Sequence, residues 1–304
     1  TSAGKGTRYQ PIYHKSTPST VWDYYGLTHE DAHKAGMNPK MFNSFLDGTK
    51  SALEMAAIAN ACELEVPTNG LLFPPCGMDD LAEILKPKNF GGLLEKNGQV
   101  EVVSSLERDG RPVFKDLRWG VFAVLQAPND YAASCFKQYG MNTDNTGQFS
   151  AMYKPFHLIG MELNISIFSA ALLNQATGQT KTFTGDVVAT TKRNLKKGEI
   201  LDGEGGETVW GKLVPSKTSL STGALPIGLA HGIKLKNDVK ENNESKKKQK
   251  KVPNYSGLGK ALNLHDVDFL LGEEFVNFCR VGIGEFLHLV FTSFDGVFRG
   301  TFLL

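Results

Sequence analysis

The stretch TKSALEMAAIANA at residues 49–61 constrains the fold most. Ala52, Leu53, Ala56, Ala57 and Ile58 recur at the spacing of one helix face, and alanine supplies the strongest intrinsic helix propensity. Further along, the texture changes. VEVVS at 100–104 and WGVFAVL at 119–125 are short apolar runs rich in β-branched and aromatic residues, the pattern of strands. A helix-forming stretch and strand-forming stretches within the first 175 residues predict an α+β fold, a mixed sheet with helices.

Other elements follow from local chemistry. Residues 28–36 read as a short helix capped by Thr28 and stopped by Gly36, and 79–85 as another that ends before Pro87. Arg108-Asp109-Gly110-Arg111 reads as a hairpin turn between 100–104 and Val113-Phe114. Residues 131–139 and the long apolar run 157–173 predict two more helices. Strands are expected at 186–192 and 194–201, joined by a tight Lys-Gly turn, and glycines continue to about residue 236 as in a small β-rich domain. Residues 237–251 are polar and end in KKKQKK, which reads as a linker. A Phe- and Leu-rich tail closes the chain, with an amphipathic helix expected around 273–291.

The opening TSAGKGTRYQP imitates a phosphate loop. Such a loop places Ser or Thr directly after Lys at a helix N-terminus. Here Gly6 separates Lys5 from Thr7, and Gln10-Pro11 stands where the helix should start. The glycines are instead expected to let the chain turn out of a sheet, with Lys5 near a substrate cleft at best. A net charge of +1 over 304 residues gives no electrostatic drive toward nucleic acid or membrane. Cys62, Cys76, Cys135 and Cys279 are far apart, without a CxxC pair, which favours a reducing, cytoplasmic setting. No uninterrupted apolar run of membrane-spanning length occurs.

Three constellations could carry chemistry. His29-Glu30-Asp31-Ala32-His33 matches H-E-x-x-H, in which two His on one helix face hold Zn²⁺ and Glu54 could follow as a third ligand. Asp31 inside the motif and the shortness of the helix favour a plain polar surface helix. The second is FLDGTKSALEM at 45–55. Asp47 or Thr49 can cap the helix, and Lys50 then projects from its first turn, where the helix dipole disfavours a cation. Lys50 is either held for an anionic or alkoxide-like partner or paired with Glu54 one turn on. The third is His157, which enters the apolar run behind Tyr153-Lys154-Pro155-Phe156 and is a satisfied structural residue or a catalytic one.

From AGKGTRYQP through GMNPKMFNSFLDGTKSALEMAAIANA, GLLFPPCG and VEVVSSLERDGRPVFKDLRWGVF to YKPFHLIGMELNIS, the chain resembles NAD(P)-dependent oxidoreductases of the homoserine-dehydrogenase-like group with a C-terminal SAF domain. DVVATTKRNLKKGEILDGEGGETVWGKL, closing at LPIGLAHGIKL, is similar to the SAF module, a β-clip. The resemblance implies a catalytic domain at 1–180, a SAF domain at 181–236, a linker at 237–254 and a tail at 255–304. It implies NAD or NADP as cofactor in the full-length family, held by a preceding Rossmann domain through a G-x-G-x-x-G turn that this sequence does not show. No tight cofactor binding by this chain alone is therefore expected, and its own turnover is in question. Lys50 is the expected proton donor to a small hydroxy or oxo substrate, oriented by Asp47 or Glu54. Lys40, Asn38, Asn43 and His157 are further candidates for substrate contact. A homo-oligomer is compatible with this reading. A non-catalytic binding or assembly module built on the SAF domain and tail is the alternative, with zinc hydrolysis through His29 and His33 a third.

Overall fold

The computed structural model describes residues 1–157 and 160–241, together with the backbone of 267–268. In chain order the elements are β1 (Ser2–Thr7), α1 (Val21–Tyr25), α2 (His29–Lys34), α3 (Pro39–Leu46), α4 (Thr49–Cys62), α5 (Leu81–Ile84), β2 (Gln99–Ser104) and β3 (Val121–Gln126). They continue with α6 (Asp130–Gln138), β4 (Asn142–Thr143), β5 (Phe149–Lys154), α7 (Leu163–Leu173), β6 (Gly185–Thr191), β7 (Val209–Pro215), α8 (Ser216–Thr222), β8 (Lys234–Leu235) and β9 (Val267–Asp268). The described chain divides into two compact units that are discontinuous in sequence. The first takes in residues 1–10 and 54–185, the second 11–53, 186–241 and 267–268.

The first unit is built on a mixed sheet of order β2-β1-β3-β5-β4. β1 runs parallel to β2 and antiparallel to β3, so the opening segment is an interior strand bonded on both sides. This corrects the expectation that its glycines lead the chain out of a sheet. The reason is close approach. A Cβ added at Gly4 would lie 1.7 Å from the Glu101 carbonyl oxygen, and one at Gly6 would lie 1.8 Å from that of Leu117. Glycine is the only residue that lets neighbouring backbone come so near. Beside the sheet, Leu81, Ala82, Leu85 and Leu94 pack with Val103, Phe122, Val124 and Phe149 into one apolar cluster. Lys86 is buried at its margin, where its ammonium donates to Asp144 at 2.9 Å and to Glu83 at 2.8 Å.

Several sequence expectations shift here. The 108–111 turn forms, with Glu107 N–H donating to Arg111 O at 2.8 Å, but Val113-Phe114 is not a strand. Pro112 brings no N–H to a ladder, and Phe114 lies exposed. The helix expected from 157 begins only at Leu163, because Gly160 takes a left-handed φ of 79° before it. His157 therefore precedes the helix. The helices expected at 28–36, 49–61 and 131–139 form as α2, α4 and α6, and α6 is capped by Asn129 Oδ1 accepting from Ala132 N–H.

In the second unit, an aromatic cluster ties α1 to α3. Phe42 lies with its ring centre 5.2 Å from Trp22 and 5.7 Å from both Tyr25 and Phe45. β6 and β7 form a two-stranded sheet over Val188, Val214 and Ala224. The second strand expected at 194–201 is not formed. That segment is irregular and held by isolated bridges of Leu195 to Val239 and Ile200 to Lys234, and β6 pairs with β7 instead. Most of the expected linker, most of the tail and the helix at 273–291 lie outside the described residues.

The glycine argument is testable by substitution. Gly4→Ala should cost about 3 kcal/mol or more, as an overpacked site does. Gly228→Ala should be near neutral, since a Cβ there meets nothing within 4 Å. Thermal unfolding of the two variants beside the parent chain measures the difference.

Candidate active site

In the first unit, β1 delivers Lys5 to the interior of the sheet, with Val102 and Val121 as its strand neighbours. Its ammonium forms an ion pair with Glu54 of α4, and the two side chains are only 15% and 9% exposed. A charge so far removed from water needs a counter-charge, and each supplies the other's. Glu54, expected to orient Lys50 or to pair with it, has Lys5 as its ion-pair partner. His157 follows β5, with Nδ1 2.8 Å from Trp119 O and its own N–H donating to the same carbonyl at 2.9 Å.

In the second unit, Asp47 is fully buried just before α4. Its Oδ1 accepts from Thr49 N–H at 2.9 Å, and its Oδ2 accepts from the Lys192 ammonium at 2.7 Å. Lys192 also donates to Ser16 O and Gly206 O, each at 2.7 Å. Burial pushes the Asp47 carboxyl upward, against the pull of Lys192 and Thr49. Asp47 is thus committed to a buried network with Thr49 and Lys192. The Lys50 ammonium lies 4.3 Å from the centre of the Phe45 ring.

The remaining candidates from the sequence find local roles. Asn43 is fully buried and donates to Ser16 O and Gly205 O, while its Oδ1 accepts from Ser16 Oγ at 2.6 Å. Its polar atoms bind α3 to its surroundings. Asn38 caps α3, its Oδ1 accepting from the N–H groups of Lys40 and Met41, ahead of Pro39 in the first turn. The Lys40 ammonium donates to Asp202 O. α2 is a capped surface helix. Thr28 Oγ1 accepts from Asp31 N–H at 3.1 Å, Glu30 pairs with Lys34, and His29 and His33 are exposed. Among the described residues no group of three or more His, Cys, Asp or Glu side chains is placed to hold a metal ion.

Residues not singled out in the sequence surround Asp47. His14 is buried, its Nδ1 lies 2.7 Å from Asp47 O, and its ring stacks on Trp210 at 3.9 Å. Burial lowers its pKa to about 4, so it is neutral at pH 7. Burial likewise lowers Lys212 on β7 to about 8. Only the isolated basic letters of HK at 14–15, TTKR at 190–193 and WGKL at 210–213 marked these residues, and no local pattern links them.

Two consequences are measurable. Lys192→Met strands a buried carboxylate and should cost about 3–5 kcal/mol, most of it recovered when Asp47→Asn is added. Urea unfolding of the four members of that cycle checks it. His14 is held below its unfolded pKa of 6.5, so its contribution is complete above that pH and is lost as pH falls through about 4. Stability measured from pH 7 to 4 should therefore fall more steeply in the parent chain than in His14→Gln, by up to about 3 kcal/mol over the interval.

The segment that carries Lys5, Asp47, Lys50 and Glu54 is also the one that known proteins match. Residues 1–163 match the family described as Oxidoreductase DRL, catalytic domain. No match to the chain is found among curated proteins. Among the described residues no helix is long and apolar enough to cross a membrane. The match covers more than half of the sequence, and the chain belongs to the oxidoreductase DRL catalytic-domain family.

Proposed function

We propose that the chain is the substrate-side portion of an NAD(P)-dependent oxidoreductase that interconverts a small hydroxy compound and its oxo counterpart. The observation that carries the reading is the shielded Lys5–Glu54 pair inside the matched segment. Hydride addition to a carbonyl leaves an alkoxide that needs a proton, and the reverse reaction must remove one from a hydroxyl. An ammonium fixed on an interior strand stabilises that oxygen without reorganising. Lys5 Nζ is the proposed proton donor in reduction, reprotonated from water, and the proposed acceptor in oxidation, and Glu54 is the positioning residue that holds it.

NAD or NADP is the proposed hydride carrier. The β1 glycines do not fit a pyrophosphate, because their open sides are filled by the carbonyls of Glu101 and Leu117 and no helix N-terminus follows them. The dinucleotide is therefore assigned to residues other than those described. The unit around β6 and β7 is the proposed SAF β-clip.

Nicotinamide absorbance with NAD⁺ or NADP⁺ and a panel of small hydroxy acids and amino alcohols provides the assay. Lys5→Ala should lower kcat by about 10²–10⁴-fold. Glu54→Gln should lower it less and shift the pH profile of kcat/KM, which a purely structural role would not do. Unchanged turnover in Lys5→Ala overturns the assignment and leaves Lys50→Ala as the decisive variant.

A further inference from the structure

Two polar groups at one end of the first unit's sheet are buried with nothing to bond. β1 and β2 are the parallel pair of that sheet, and their register ends at Thr7 opposite Ser104. Arg8 and Ser105 are the residues that come next. The backbone on either side of Arg8 is pinned to β2 and its end: Thr7 O accepts from Ser105 N–H at 2.8 Å, and Tyr9 O accepts from Ser104 Oγ at 3.1 Å. Among the described residues, Arg8 Nε is buried without an acceptor, and Ser105 Oγ, in a residue only 1% exposed, has no partner either. The two atoms do not bond each other.

The other described arginines are engaged. Arg108 donates to Leu72 O at 2.9 Å, and Arg111, Arg118 and Arg193 pair with Asp109, Asp116 and Glu199. A buried charged donor without an acceptor is costly, and an acceptor that arrives from outside the chain removes that cost. The donors define its chemistry. Nε–H and the neighbouring Nη–H of a guanidinium point the same way and match two oxygens of a carboxylate or a phosphate. The Ser105 hydroxyl, at the adjacent strand end, supplies a further donor. A neutral alcohol has one oxygen and leaves one of the parallel N–H groups unmatched, and a metal cation is repelled by the guanidinium. The place fits as well. In open α/β sheets ligands bind beyond the carboxyl ends of the strands, where Arg8 and Ser105 stand. Arg8 as a whole is only half-buried, so a ligand reaches it from solvent.

We infer that Arg8 and Ser105 form a binding site for a carboxylate or phosphate group of a small ligand. The roles proposed for Lys5 and Glu54 do not enter it. Proton–nitrogen correlation spectra of the arginine side chains in the whole chain read the site directly, with the Arg8 Nε–H signal assigned by its loss in Arg8→Lys. Inorganic phosphate and lactate are titrated separately, with ionic strength held constant by sodium chloride. At least one of them should move the Arg8 signal to saturation, and which one does so tells phosphate from carboxylate. Arg111, exposed and paired with Asp109, should show no saturating response. Ser105→Ala should weaken binding by about 3- to 10-fold, as loss of one hydrogen bond does. The bound anion should raise the thermal midpoint of the parent chain and not that of Arg8→Gln. A purely structural Arg8 would instead lower the midpoint equally with and without the anion. The inference is overturned if neither anion saturates the Arg8 signal, if Arg111 responds equally, or if Ser105→Ala binds as the parent does.

Discussion

The first unit depends on how closely its backbones approach at β1. Parallel pairing to β2 and antiparallel pairing to β3 place this strand inside the sheet, and its two glycines leave room for the carbonyls of Glu101 and Leu117. A side chain at either position would force the strand outward and take Lys5 with it. The residue between the glycines is then held by backbone on both sides, and its ammonium pairs with Glu54. Rigid elements position reacting groups better than loops do. The glycines that look like a nucleotide signal are a packing device that fixes a cation.

Two carboxylates near the start of α4 are equivalent by spacing and differ by environment. Asp47 receives a backbone N–H and the Lys192 ammonium, and Lys192 spends its other donors on two carbonyls. That network has no donor left over for chemistry, and its removal would leave an uncompensated buried charge. Glu54 is matched by one cation on a neighbouring strand. A shielded pair with a single counter-charge can change partners as a substrate arrives, whereas a saturated network resists doing so. This difference is why the proposed acid–base pair is Lys5 with Glu54 and does not include Asp47.

Much of this was legible in the sequence, for local reasons. Alanine propensity fixed α4, Thr28 announced its cap, and short apolar runs rich in β-branched and aromatic residues gave β2 and β3. Lys50 and Glu54 stood out because a cation at a helix start is unusual. What escaped was set by partners distant in the chain. The role of Lys5 depends on Glu54, 49 positions on, and that of Asp47 on Lys192, 145 positions on. β6 chose β7 over the nearer 194–201 segment, a tertiary choice that strand propensity does not encode. The apolar run that became α7 announced a helix correctly, but hydrophobicity alone predicts burial of its apolar side chains, whereas the buried ones are Ser166 and Ser169.

The placement of Lys192 bears on how the matched segment works. Asp47 lies within residues 1–163, and its counter-charge lies beyond them. The Asn43 amide likewise finds Gly205, and the Thr49 hydroxyl accepts from Gly211 N–H at 2.8 Å. Residues 11–53 thus belong to the oxidoreductase family by sequence, yet they fold in one compact unit with residues 186–241. Burying Asp47 without Lys192 would cost several kcal/mol, more than a short helical segment recovers by itself. The approach to α4, and with it the first turn that carries Lys50, is held in place by the part of the chain that follows the catalytic match. The later β-rich segment is a structural component of the catalytic half.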